Sequence, residues 1–507
     1  MIEYNIKKMG VDYLLVNSTN KYLLEYVPLE ENSVYKLTGF TGDVGDALIC
    51  PNGKILLFVD SRFHIQADKE VNHSKVEVVK LQLGQKVDDE ICARIKPNSI
   101  LGLDLSKISQ YRYEYISTLL EVLNAKIKTC NTNEECRIGE FVTVPFEVNL
   151  KDVGDNILIT NSEEIAYVCN IRSFTFNYST KVDGKVFITN GKPILFTDFK
   201  GQGARPLKEF EGYIKKINKP IYVDKTTVNA YDYSLINNPV SVKSPIREMK
   251  SIKTPQEIEH IKYCFDMTDK ALRATRDWIY STDNLSEYDI AQELEKNFKK
   301  YGAKSLSFQS IVAINENSAL AHYNKSDKNK ILQDGDLVLI DCGAYYEGGF
   351  ATDITRVFVK GQPSNLQKQV YTTVLKVFLN CYNYQVTSVT NGFEIDNFAH
   401  CIFDNYPIEG FKFSHGLGHG VGISVHENPP NLSKNEIAKT TLKENMCFTI
   451  EPGLYNEEYF GVRLENTCYL NNGEIVSFAK MCFEQKLIDK TMLTETEKDI
   501  LSKFEVI

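Results

Sequence analysis

Tryptophan occurs once in these 507 residues, histidine eight times, and cysteines spaced as CxxC not at all. Twelve cysteines are scattered singly along a chain long enough to fold without covalent staples, so free thiols in a reducing cytosol are expected. No apolar run approaches the roughly 18 residues of a membrane span, and MIEYNIKKMGVDYLLVN turns polar too early for a secretory leader. A cytoplasmic protein is therefore expected. Neither sign of charge dominates: 58 Lys and Arg stand against 67 Asp and Glu, interspersed, for a net charge of −9. That balance offers no basic face for a nucleic acid. The G-x-S-x-G elbow of serine hydrolases is missing as well.

What is present reads as a mixed α/β and α+β chain of two or three domains, because 507 residues exceed one ordinary core. Over 1–125, short apolar strands (DYLLVN, DALIC, KILLFVD) alternate with helical spacing in YEYISTLLEVLNAKI. The segment 126–248 repeats the texture in ILITNSEEIAYVCN, KVFITN, KPILFTD and PIYVD, as a smaller α/β unit and a hint of duplication. The boundary follows in VSVKSPIREMKSIKTPQEIEHI. There Pro245 is expected to break the preceding element, and Thr254-Pro255-Gln256-Glu257 to cap a long helix running toward Trp278. Ser286 and Asp289 signal the next helix. The remainder, 249–507, mixes helices with strands that stop in turns.

Four acids stand at such stops. Asp341 ends the apolar run Leu337 to Ile340, and Asp353 begins DITRVFV across a glycine-bearing turn that would return it toward Asp341. Glu451 follows Phe448-Thr449-Ile450 and precedes Pro452-Gly453. Arg463 and Glu465, two apart, share one strand face. Each acid read alone suits a solvated strand end, but a carboxylate closing a buried strand is costly unless paired or metal-bound. Five of the eight histidines fall between 322 and 426: His322, His400, His415, His419 and His426. Three of them lie in FSHGLGHGVGISVHENP, residues 413 to 429, whose glycines 416, 418, 420 and 422 tolerate positive φ and close backbone approach. As a dinucleotide loop this segment lacks the preceding strand and the following acid. Four carboxylates with a histidine suit divalent ions, Mn²⁺ or Mg²⁺ first and Co²⁺, Fe²⁺ or Zn²⁺ once imidazole joins. Four carboxylates overfill one ion's shell, whereas two adjacent ions share them.

At these residues the sequence resembles the pita-bread metallopeptidases, in the contexts DCGAYY, TDITR, HGLGHGVG, TIEPGLY and VRLEN. The stretches LLEYVP, LTGFTGDVGDALI, VDSRFHIQA and EEIAYVCNIRS resemble the two creatinase-like domains of the three-domain aminopeptidase P branch. The tail FEQKLIDKTMLTETEKDILSKF extends the likeness over nearly the whole chain. One departure is the interval from Asp341 to Asp353, twelve residues where the family pattern more often has eleven. The resemblance implies creatinase-like domains over 1–125 and, abbreviated, 126–248, ahead of a catalytic domain over 249–507.

It further implies two divalent ions, manganese foremost, held by Asp341, Asp353, His419, Glu451 and Glu465. A hydroxide between them attacks the peptide bond before a proline in second position, releasing the N-terminal residue, in an enzyme that works as a homodimer. Glu451 relays the proton, His426 donates to the carbonyl oxygen, His322 and His415 line the substrate pocket, and Arg463 orients Glu465 or a substrate carbonyl. His400 keeps an ordinary structural reading, and Asp60 and Arg62 carry no assignment. A prolidase restricted to Xaa-Pro dipeptides, and a non-enzymatic binding protein of the same fold, are the competing functions.

Overall fold

The computed structural model describes residues 4–25, 27–82, 84–132, 138–151, 153–320, 323 and 325–507. Two compact units emerge, one of Met1–Gly139, Asn149–Cys169 and Val182–Ser244, the other of Glu140–Val148, Asn170–Lys181 and Pro245–Ile507.

In the first unit a six-stranded mixed sheet runs in the order Val76–Lys80, Ile55–Val59, Asp46–Ile49, Tyr13–Asn17, Ile100–Leu103, Lys126–Thr129. Its four inner strands read as largely apolar runs because both faces are covered. Leu14, Val16, Leu57 and Val59 enter one core, and Tyr13, Leu15, Leu56 and Phe58 enter another with Ile116 and Leu120 of the helix Gln110–Val122. A five-stranded sheet follows in the order Lys192–Phe196, Lys185–Thr189, Ile157–Ile159, Ile221–Val223, Pro239–Ser241. Two antiparallel pairings and then two parallel ones reproduce the scheme of the larger sheet without its outermost strand. The similarity of texture thus extends to topology.

The strand Pro239–Ser241 ends before Pro245, as expected, and the long last segment of the second unit starts with a helix, Pro245–Ser251; at the first helical position the missing proline N–H costs nothing. The long helix Pro255–Ser281 carries the full Thr254/Glu257 capping box, and Glu287–Lys300 carries that of Ser286 and Asp289. Beside them an antiparallel sheet sets Leu337–Cys342 between Ile311–Ile314 and Ile354–Val359. Leu337, Leu339, Val357 and Val359 point to the main core, shared with the helix Asn365–Tyr382.

A second ribbon pairs Cys447–Ile450 with Asn466–Asn471 and, farther along, Gly453–Asn456 with Phe460–Arg463. The register is the same in both parts, so the two form one long hairpin interrupted only where Glu451 and Pro452 face Leu464 and Glu465. The eleven described cysteines are free. Among the described residues no helix is long and apolar enough to cross a membrane.

Candidate metal centre

The pleat of the central sheet delivers the first two acids. Asp341 pairs with Thr355 across the sheet and continues the row of Leu337 and Leu339; Asp353, two residues before Thr355, lies on that same face. The expected return of the chain across a glycine-bearing turn is present, with Gly348 and Gly349 both at positive φ. Glu451 and Glu465 come from the break in the long hairpin. There the Glu465 N–H donates to Thr355 O at 3.2 Å, tying the hairpin to the sheet.

His419 arrives on a two-residue strand whose N–H donates to Thr449 Oγ1 at 3.1 Å. The expectation for the glycines is half met. None of the four has positive φ, and they are small because other chain passes against them: a Cβ on Gly418 would lie 2.1 Å from Thr449 O, and one on Gly420 2.0 Å from Glu427 O.

Asp353, His419 and Glu465 each present a donor atom within 4.8 Å of the others. His419 Nε2 lies 3.5 Å from Asp353 Oδ2 and 3.8 Å from Glu451 Oε1. Asp341 flanks them, its Oδ2 accepting from Arg463 Nη2 at 2.6 Å. Asp341, Asp353 and Glu465 are buried and Glu451 half-buried, and Asp341 Oδ1 and Glu465 Oε1 have no hydrogen-bond partner among the described residues. Burial together with Glu465, Asp341 and Glu451 pushes Asp353 well above the carboxylate range. Burial and Glu465 raise Glu451 likewise, and burial and Asp341 lift Glu465 to about 8. Orphaned oxygens, crowded like charges and one imidazole fit a divalent cation, or two sharing the carboxylates.

Arg463 makes its direct ion pair with Asp341. Toward Glu465 it works through Thr355, whose hydroxyl accepts from Arg463 Nε at 3.2 Å and donates to Glu465 Oε2 at 2.6 Å. Its Nη1 donates to the Tyr455 hydroxyl at 2.8 Å. That hydroxyl then donates to His415 Nε2 at 2.7 Å, because His415 Nδ1 faces only an acceptor, Gly416 O at 2.8 Å, and must carry the ring proton. Burial and Arg463 hold His415 down to about 3, so its ring is neutral. Replacing Arg463 by methionine leaves Asp341 buried and unpaired. An unfolding free energy lower by about 3–5 kcal/mol is expected in urea titration of the metal-free protein.

The His426 ring stands edge-on to His419, centroids 4.3 Å apart. His322 lies outside the described residues. His400 contacts Asp396 at 3.6 Å and the Phe413 ring, away from the acids. Asp60 and Arg62 form an exposed pair with each other in the first unit.

Three supporting residues escaped the sequence reading: Thr355, Tyr455 and Arg356. Arg356 is fully buried, without a carboxylate partner. It donates instead to the carbonyls of Thr355, Glu465, Met481 and Cys482 and to Asn466 Oδ1, fixing the backbone that bears Glu465. Its only trace in the sequence is an arginine at an inward position of an apolar strand.

Residues 259–472 match the model of metallopeptidase family M24, and residues 4–138 that of the Creatinase/Prolidase N-terminal domain. The chain is 26% identical to Xaa-Pro aminopeptidase 1 of Dictyostelium discoideum, covering 98% of this chain and 90% of that protein. It is 38% identical to an Xaa-Pro dipeptidase of Pyrococcus horikoshii over 45% of this chain and 62% of that one. A crystal structure of an X-prolyl aminopeptidase from Caenorhabditis elegans, described as a cytosolic enzyme with a di-nuclear active site, superposes with a TM-score of 0.87 at 21% identity. That alignment covers 97% of this chain and 90% of the other, and establishes a common fold. With the acids, the histidine and both domain matches in place, the chain carries a Creatinase/Prolidase N-terminal domain over 4–138 ahead of an M24 metallopeptidase domain over 259–472.

Proposed function

We propose that this protein is an Xaa-Pro aminopeptidase that removes the N-terminal residue from peptides with proline second. The observation that carries the reading is the closure of Asp353, His419 and Glu465 on one point, flanked by Asp341 and Glu451. Asp341, Asp353, His419, Glu451 and Glu465 would hold two divalent ions, Mn²⁺ foremost. Such ions, when bound, supply a nucleophilic water at neutral pH and polarise the scissile carbonyl.

The chain's own groups do the rest. Glu451, raised by its neighbours and adjoining His419, accepts a proton and passes it to the proline nitrogen as that bond breaks. That nitrogen carries no hydrogen of its own in the peptide, so its departure needs one. His426 donates to the carbonyl oxygen as charge gathers there; loss of such a donor costs about 3 kcal/mol. His322 and His415 line the pocket, with His415 held neutral by burial and Arg463. Arg463 holds Asp341 in place through its ion pair.

The same proposal includes the division into 1–125, 126–248 and 249–507; the two separate sheets of the first unit support two N-terminal domains, and the strand Lys126–Thr129, which belongs to the first sheet, carries that boundary a few residues past 125. It also includes a homodimer, and a cytoplasmic location in keeping with the Caenorhabditis elegans protein, which is described as a cytosolic enzyme. The 38% identity to a dipeptidase across the metallopeptidase region favours one alternative, a prolidase.

Purified protein, reconstituted with Mn²⁺, is to be given an Xaa-Pro dipeptide and an Xaa-Pro-Pro tripeptide. Release of the first residue from the tripeptide is expected. Turnover of the dipeptide alone would establish the prolidase, and neither turnover nor metal uptake would leave a binding protein.

A further inference from the structure

Behind the glycine-laced turn sits a cluster that the reaction does not use. Glu427, the residue after His426, is 1% exposed and carries two ammonium groups: Lys253 Nζ at 2.8 Å from Oε1 and Lys250 Nζ at 3.3 Å from Oε2. Both lysines are as deeply buried, at 3% and 1%. They come from the start of the second unit, Lys250 within the helix Pro245–Ser251 and Lys253 just after it, with Lys253 Nζ also donating to Lys250 O at 2.7 Å.

The same carboxylate closes the turn on itself. Its Oε2 accepts the Ile423 N–H at 2.9 Å, while the Glu427 N–H donates to Gly420 O at 2.8 Å. Gly422 has no side chain because the carboxylate occupies that space: a Cβ there would stand 2.2 Å from Glu427 Oε1. From the other side, Gly422 O accepts the Ala351 N–H at 2.8 Å, two residues before Asp353. The turn is therefore clamped between a buried ion cluster and the segment that leads into a candidate ligand.

Two cations against one anion is an expensive arrangement to bury, and a hydrophobic replacement of the whole cluster would serve stability as well or better. Its retention calls for a role other than stability. What the cluster fixes is the run of backbone from His419 to His426, in which Gly420 and Gly422 alternate with the buried Val421 and Ile423. Burial opposes ionisation of Glu427, yet Lys250 and Lys253 hold it down at about 2, so the clamp is charged throughout the working range.

The geometry points to Glu427, gripped by Lys250 and Lys253, as the positioning residue that holds the rings of His419 and His426 in register. The inference rests on the peptidase reading for its kinetic consequence, but its structural content is independent of that reading. Glu427→Gln keeps shape and an acceptor for Ile423 while removing the charge. As a control, Lys376→Met breaks another buried pair, Lys376–Glu497 at 2.6 Å, on helices that carry no site residue.

Both variants are expected to unfold at lower temperature. Only Glu427→Gln should lose kcat, by about a hundredfold, with KM held within about threefold. Metal content by elemental analysis should be unchanged in both. Loss of kcat in Lys376→Met as large as in Glu427→Gln, or kcat of Glu427→Gln within about twofold of the parent, overturns the proposal.

The second readout is the ring signals in spectra of histidine-labelled protein, assigned from their absence in His419→Asn and His426→Asn. They should move in Glu427→Gln and not in Lys376→Met. Should the parent protein hydrolyse no Xaa-Pro peptide, the functional reading falls alone and these signals still decide: unmoved rings refute the clamp.

Discussion

Exchanging Glu465 for glutamine is expected to abolish hydrolysis of Xaa-Pro peptides, by about a thousandfold or more, and yet to stabilise the metal-free protein. The first effect follows from losing a ligand charge, worth roughly 4 kcal/mol or more at the barrier. The second follows from the electrostatics of the empty-handed acids. Glu465 Oε2 accepts from Thr355 Oγ1, a bond that glutamine retains, while Oε1 is buried without a partner beside Asp341. Removing its charge relieves Asp353 and Glu451 together. Thermal unfolding in chelator at pH 8 and metal content after reconstitution check the two halves. A metal-free variant less stable than its parent would show that the acids do not repel one another as described.

The second large effect is on pH. Glu465 is raised from 4.5 to about 8, and Asp353 and Glu451 are raised with it. Between those limits the folded, metal-free protein keeps protons that the unfolded chain has released. Stability must then fall as pH rises through about 4.5 to 8, by on the order of a few kcal/mol. Divalent ions take the place of those protons, so their affinity rises over the same interval and the loaded protein does not share the decline. Melting temperatures at pH 5, 6.5 and 8, with chelator and with Mn²⁺, measure this directly. A metal-free protein that grows more stable toward pH 8 would contradict the crowding of the site.

The acids themselves were legible in the sequence because each stops an apolar strand, and a strand's period of two tells which face its end occupies. Asp341 and Asp353 required only that the intervening turn close a hairpin. The helix starts at Thr254 and Ser286 were legible for a similar reason, being written in local side-chain chemistry. The short helix that starts at Pro245 was missed because proline breaks and begins elements with equal ease, and only its tertiary setting decides.

The glycines of 416–422 were assigned a freedom of φ that they do not use; what they provide is clearance for Thr449 and Glu427, and clearance depends on partners distant in the chain. The target of Arg463 was hidden for that reason too, since Asp341 lies 122 positions away. Glu427 with Lys250 and Lys253, 174 residues apart at the closest pair, leaves no periodicity to read.

The pairing of Leu337–Cys342 with Ile354–Val359 makes the chemistry depend on parity. Because both faces of this sheet are buried, a slip of one residue would not merely misplace the two aspartates; it would drive their carboxylates into the opposite apolar layer and leave a hole where they had been. A misaligned chain is thus too unstable to persist as a crippled enzyme. Folding in effect proofreads the catalyst, and the turn at 346–350 is where length variation is tolerated while the strands beside it admit none.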